Sequence, residues 1–291
     1  MVRVYYYLCG DEAMKKYVLT IFSVLISVSL LACSSSKVVT ENKNISIDKK
    51  APVNKSAIVN NITIKNSKNS IWTNKDYVSI GDSITWQDQK GYPGTKIIAT
   101  GYQSLLNEKI GFKSVVNLGI SGATIAKSSF YPKRDSLLIS YQVRNYSKAD
   151  IITIFGGTND FKLNVPLGKM GMKKNKNYDI STFYGSYEKL LNYILKQNNT
   201  VKIYLFTPLQ RDNSGYGINK VNSAGVKLID YVNAIKNIGE LYNLPVLDLY
   251  STSGINIYNL KEYTRDGLHP TDEGYRLITK PILDFIDKSN L

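Results

Sequence analysis

One histidine is present in the 291 residues, His269, and it stands in the run Asp266-Gly267-Leu268-His269-Pro270. Three other short runs carry the remaining groups of chemical interest: Gly81-Asp82-Ser83-Ile84, Gly119-Ile120-Ser121-Gly122-Ala123-Thr124 and Gly156-Gly157-Thr158-Asn159-Asp160. A serine hydroxyl is a weak nucleophile until a base within hydrogen-bond reach takes its proton, and histidine is the usual base. The base needs a carboxylate to fix its tautomer and stabilise the imidazolium. Asp266, three residues before His269, has the spacing of a turn that folds the carboxylate back on the ring. A tetrahedral intermediate needs N–H donors aimed at its oxyanion, and glycine lets backbone approach closely. Together these are the parts for acyl transfer.

Other chemistries are poorly supplied. The two cysteines, Cys9 and Cys33, both lie near the N-terminus, so the body of the chain has neither a disulfide nor a zinc site built from several His or Cys ligands. Neither Gly-x-Gly-x-x-Gly nor Gly-x-x-x-x-Gly-Lys-Ser/Thr occurs, which argues against a nucleotide-binding module. No Gly-x-Ser-x-Gly elbow supports an α/β-hydrolase. The net charge of +14 divides into +1 over residues 1–36, +5 over 37–70 and +8 over 71–291. Lysine dominates and no arginine-rich helix stands out, so the charge reads as a solvated surface suited to anionic lipid or wall polymer, with no nucleic-acid partner expected.

The elements that must position these runs alternate. Short β-branched apolar runs at 77–80, 114–118, 151–155, 201–206 and 246–249 read as strands. Helical patterns fall at 96–110, near 137–146, and at 182–197, 225–242 and 272–287. A succession of β–α units implies an α/β fold, a parallel sheet covered on both faces. In such sheets functional groups collect beyond the carboxyl ends of the strands. Ser83, Gly122 and Asn159 follow the first three strands, and His269 precedes the last helix. Asp82 and Asp160 are expected to organise their turns rather than transfer protons. Trp86, just past the serine, is open to two readings, a pocket wall or core packing.

With these blocks in order, the chain resembles the SGNH (GDSL-type) hydrolases over about residues 75–290. Gly81-Asp82-Ser83 matches the family's first block, Gly122 the second, Gly157-Thr158-Asn159-Asp160 the third, and Asp266 and His269 the fifth. Ile84 departs from the leucine many members carry, a conservative change of apolar shape. The resemblance implies a flavodoxin-like three-layer α/β/α sandwich with a five-stranded parallel sheet. It implies Ser83 as nucleophile, His269 as base and Asp266 as its orienter, with an oxyanion hole from the Ser83 and Gly122 N–H groups and the Asn159 side chain. No cofactor or metal is implied.

The N-terminus resembles a bacterial lipoprotein signal peptide. Met14-Lys15-Lys16 precedes an apolar run at 17–31, and Leu30-Leu31-Ala32-Cys33 forms a lipobox. Fifteen residues are short for a membrane-spanning helix, which needs about 20. The resemblance implies cleavage after Ala32 and lipid on Cys33, giving an exported protein on the outer face of the cell membrane. The expected organisation is signal peptide 1–32, with a true start at Met14 a natural alternative, lipidated Cys33 and a flexible tether over 33–70, and a hydrolase domain at 71–291. A short β element at 58–64 is compatible with the alternation there.

The substrate reading is coarser. The polar insert at 162–179, its Lys173-Lys174-Asn175-Lys176 run, and the Gly-, Asn- and Tyr-bearing loops at 210–222 and 251–263 suit an open carbohydrate groove better than an apolar lipase lid. The expected activity is therefore hydrolysis of a short-acyl ester on an extracellular or wall glycan. The alternatives are a short-chain carboxylesterase or lysophospholipase- or thioesterase-like lipid hydrolase and, from another class, a non-catalytic ligand-binding lipoprotein.

Overall fold

The computed structural model describes residues 70–127, 136–137, 144–171 and 177–288. The expected signal peptide, Cys33, all of the expected tether but its last residue, the expected 58–64 element, most of the 137–146 stretch and the lysine-rich run of the insert lie outside the described residues.

Five strands form one parallel sheet. They are β1 (Asp76–Gly81), β2 (Ser114–Asn117), β3 (Ile151–Phe155), β4 (Lys202–Phe206) and β7 (Val246–Leu247), in the order β2-β1-β3-β4-β7. Register is continuous: Tyr77 pairs with Ile151, and Ile151 in turn with Lys202. The middle strand shows why both faces need covers, since every residue of β3 is buried. Successive side chains of a strand point to opposite faces. Ile152 and Ile154, with Ile80, Ile203 and Leu205, pack under α4 (Phe183–Gln197) and α5 (Leu228–Tyr242). Ile151 and Phe155, with Tyr77, Tyr204 and Phe206, pack under α2 (Tyr102–Ile110) and α8 (Asp272–Lys288). This is the α/β/α sandwich that the alternating pattern and the resemblance imply.

Helix boundaries are tighter than the pattern suggests. The helix expected over 96–110 begins at Tyr102, because Gly101 is extended and its N–H is taken by the Asp88 carboxylate at 2.8 Å. Gly111 ends it in the left-handed region, where glycine carries no Cβ penalty. The helix expected over 225–242 begins at Leu228, with the Asp230 carboxylate accepting the Lys227 N–H at 2.7 Å. On α4 the Thr182 hydroxyl accepts the Gly185 N–H. Ser70, the last residue assigned to the tether, already donates its hydroxyl to Asp287 at 2.7 Å.

Short elements line the carboxyl rim of the sheet: α1 (Ser83–Trp86), α3 (Thr158–Lys162), α6 (Leu249–Thr252), α7 (Leu260–Tyr263) and a two-stranded hairpin, β5 (Asp212–Asn213) with β6 (Tyr216–Gly217). None has the length to leave a periodic signature in the sequence.

Candidate active site

Ser83 opens α1 directly after β1. Gly81 is required just before it, because a Cβ there would lie 2.0 Å from the Thr85 hydroxyl. The Asp82 carboxylate caps α1 by accepting the Ile84 N–H at 3.0 Å. Burial pushes the Asp82 carboxyl up to about 6.

The loop after β2 is clasped to α1. The Asn117 side-chain amide donates to the Thr85 carbonyl at 2.8 Å, and its oxygen accepts the Gly119 N–H at 2.8 Å. A Cβ on Gly119 would meet the Trp86 nitrogen at 2.2 Å, so the two backbones approach as only glycine allows. Gly122 follows in the left-handed region at φ 76°. Its neighbour Ala123 offers its carbonyl to the Asn159 side-chain amide at 3.0 Å, which brings the second and third runs together. An amide nitrogen carries two hydrogens, so this bond fixes the orientation of Asn159 while leaving its second N–H for another acceptor.

Asp160 holds the same junction from below. It is fully buried, and its two carboxylate oxygens accept the Ile125 and Ala126 N–H groups at 2.9 and 3.0 Å. Burial raises its carboxyl to about 7, against the lowering effect of those two bonds. Among the described residues Asp82 thus bonds to a backbone N–H of its own turn, as expected, whereas Asp160 reaches across to the loop after β2.

The Asp266–His269 turn completes the rim. The Ser83 hydroxyl lies 2.9 Å from His269 Nε2, and His269 Nδ1 lies 2.7 Å from Asp266 Oδ2. Asp266 Oδ1 also accepts the His269 and Leu268 N–H groups at 2.9 and 3.1 Å, so the carboxylate is fastened to the turn that carries the ring. Burial pushes the Asp266 carboxyl up, but these bonds and the adjacent ring outweigh it and hold the group well below the usual carboxylate range. Ser83 and Asn159 are each only 7% exposed, while the His269 and Asp266 side chains are partly open to solvent.

The structure places Trp86 on α1 half-buried, with the Lys90 ammonium 5.3 Å above its ring, so it does not belong to the core. The sequence reading missed Arg211. Its side chain is fully buried just past β4 and hydrogen-bonds across the rim. A single arginine beyond a strand gives no periodic or motif signal, and arginine is usually read as surface.

The chain is similar to several solved structures. A protein from Lactobacillus plantarum is 29% identical, with a TM-score of 0.63 over 75% of this chain and 99% of that one. A "possible lipase" from Chitinophaga pinensis is 25% identical, with a TM-score of 0.60 over 75% of this chain and 99% of its own. An acetyl-xylooligosaccharide esterase from Geobacillus shares the fold at 20% identity and a TM-score of 0.50, over 75% and 96% of the two chains. No curated protein matches. The model of the GDSL-like lipase/acylhydrolase family matches residues 79–277, a span that opens within β1, four residues before the serine, and runs past the histidine into α8. With well over half of its length matched and the blocks of that family gathered on one rim, the chain belongs to the GDSL-like lipase/acylhydrolase family.

Proposed function

We propose that the protein is a surface-anchored serine esterase that hydrolyses a short-acyl ester, an acetyl group on an extracellular or cell-wall glycan. The observation that carries the esterase reading is the unbroken relay from the Ser83 hydroxyl through His269 to Asp266, at 2.9 and 2.7 Å. In this mechanism His269 Nε2 takes the Ser83 proton as the hydroxyl oxygen attacks the ester carbonyl. Asp266 holds the Nδ1 proton and stabilises the imidazolium. The oxyanion is received by the Ser83 and Gly122 backbone N–H groups and the second Asn159 N–H. The imidazolium then protonates the departing alcohol, and water resolves the acyl-enzyme by the same route.

The glycan reading rests on the loops at the rim. Tyr258 is 92% exposed. Its segment is fixed beyond β4 by a hydrogen bond from the Ile257 N–H to the Gln210 side chain at 3.2 Å. An exposed aromatic ring on a held loop suits stacking against a sugar face. Anchoring rests on the lipobox: Cys33 would carry the lipid, and the lysine-rich stretch to residue 70 would span the distance to the catalytic body. The test of substrate is a p-nitrophenyl ester series from acetate to a long acyl chain, alongside acetate release from acetylated polysaccharide. Preference for acetate with release from the polymer supports the proposal. Preference for long chains would assign the same machinery to lipid esters.

A further inference from the structure

Resting on the roles given to Ser83, His269 and Asp266 above, we infer that Arg211 is a positioning residue that sets the Asp266–His269 turn against the Asn159 helix. A buried guanidinium is costly to desolvate; the hydrogen bonds of this one go to neutral oxygens, while the charges of Asp82, Asp266 and Asp212 favour its ionised form. Its Nη1 donates to the Thr158 carbonyl at 3.1 Å and to the Thr158 hydroxyl at 2.8 Å. Its Nε donates to the Tyr216 carbonyl at 3.1 Å and its Nη2 to the Asn213 carbonyl at 3.3 Å. One rigid fork thus ties the start of α3, the residue before Asn159, to both strands of the β5–β6 hairpin.

The hairpin in turn carries the turn. The Asp212 N–H donates to the Gly267 carbonyl at 2.9 Å, and the Asn213 side chain donates to the Asp266 carbonyl at 2.8 Å. Gly267 sits at φ 82°, and a Cβ there would lie 2.2 Å from the Asp212 carbonyl oxygen, so hairpin and turn are in direct backbone contact. The chain of bonds runs from Thr158 through Arg211 and the hairpin to Asp266. It ties together the elements that carry the oxyanion donor and the base, two groups far apart in the chain. Apolar packing at position 211 would fill the same space without tying those elements together.

The test uses the soluble body with Arg211→Gln, Asn213→Ala, Asp266→Asn and the double variant Arg211→Gln/Asp266→Asn. Hydrolysis of p-nitrophenyl acetate and the labelling rate of Ser83 by a phosphonofluoridate are followed together, with thermal melting as the check on folding. Misplacing a catalytic group by about 1 Å costs on the order of 10²-fold. Arg211→Gln is expected to lose about that factor in kcat and in labelling rate with KM little changed, and Asn213→Ala to fall in the same direction. The double variant is expected to be no slower than Asp266→Asn alone, because Arg211 acts through the same turn. A purely structural role would instead multiply the two losses. A folded Arg211→Gln with the wild-type rate, or multiplicative losses, overturns the inference. If Arg211→Gln does not fold, Asn213→Ala decides, and the wild-type rate in that variant overturns it. A wild type inert to the phosphonofluoridate refutes the esterase reading itself and this inference with it. A labelled wild type with equally labelled variants refutes only the role of Arg211.

Discussion

Ser83 and His269 are 186 positions apart in the chain yet 2.9 Å apart in space, and the account of the residues turns on that contact. Asp266 is held ionised by its bonds to the ring and to two backbone N–H groups. Replacing it with Asn leaves the ring without its carboxylate and is expected to lower kcat on the order of 10⁴-fold, read by steady-state ester hydrolysis. Asp160 titrates in the other direction. Its folded-state pKa of about 7 lies above the unfolded value of 3.8, so folding favours the protonated acid. Its contribution to stability is full below about pH 4 and is lost as pH rises through about 7. Melting temperature measured from pH 5 to pH 8 should therefore fall more steeply in the wild type than in Asp160→Asn. The same substitution turns an amide N–H₂ toward the Ile125 or Ala126 N–H and leaves one donor unpaired, a loss of roughly 1–3 kcal/mol at the pH of greatest wild-type stability.

At the scale of elements, the rim turns at Gly119 and Gly267 are locked by backbone approach. The close contact of Gly267 with Asp212 predicts that Gly267→Ala displaces the Asp266–His269 turn and costs about 10²-fold in kcat, with a lowered melting temperature on the same sample. The five sheet strands were legible because each is a short β-branched run between turn residues, and β3 is read to the residue. The blocks Gly81–Ser83, Gly156–Asp160 and Asp266–His269 were legible because chemistry restricts residue type and spacing there. The start of α2 was not, since apolar residues at 97 and 98 extend the helical pattern into a loop where both are exposed. Nor was the β5–β6 hairpin, whose two-residue strands depend on tertiary partners, with Arg211 and Gly267 supplying them. Arg211 escaped the sequence reading for the same reason: apart from the Thr158 hydroxyl its partners are carbonyls, which every residue type presents.

The whole molecule joins an anchor, a tether and a catalytic body in the proposed reading. Lipid on Cys33 would confine ester hydrolysis to the cell surface while leaving the site free to reach a polymer. Cys33→Ala is expected to move the protein from the membrane to the soluble fraction on cell fractionation, with kcat of the purified body unchanged. The net charge of +8 on residues 71–291 suits an anionic polymer or membrane surface, so binding to such a surface should weaken as salt is raised above about 0.15 M. The proposed hydrolysis depends on Ser83 as nucleophile. The most direct measurement compares wild type and Ser83→Ala on p-nitrophenyl acetate, with phosphonofluoridate labelling located by mass spectrometry. The expected outcome is a loss of about 10⁶-fold in kcat and a single label on Ser83 that disappears in the variant; full hydrolysis by a folded Ser83→Ala would rule out Ser83 as the nucleophile.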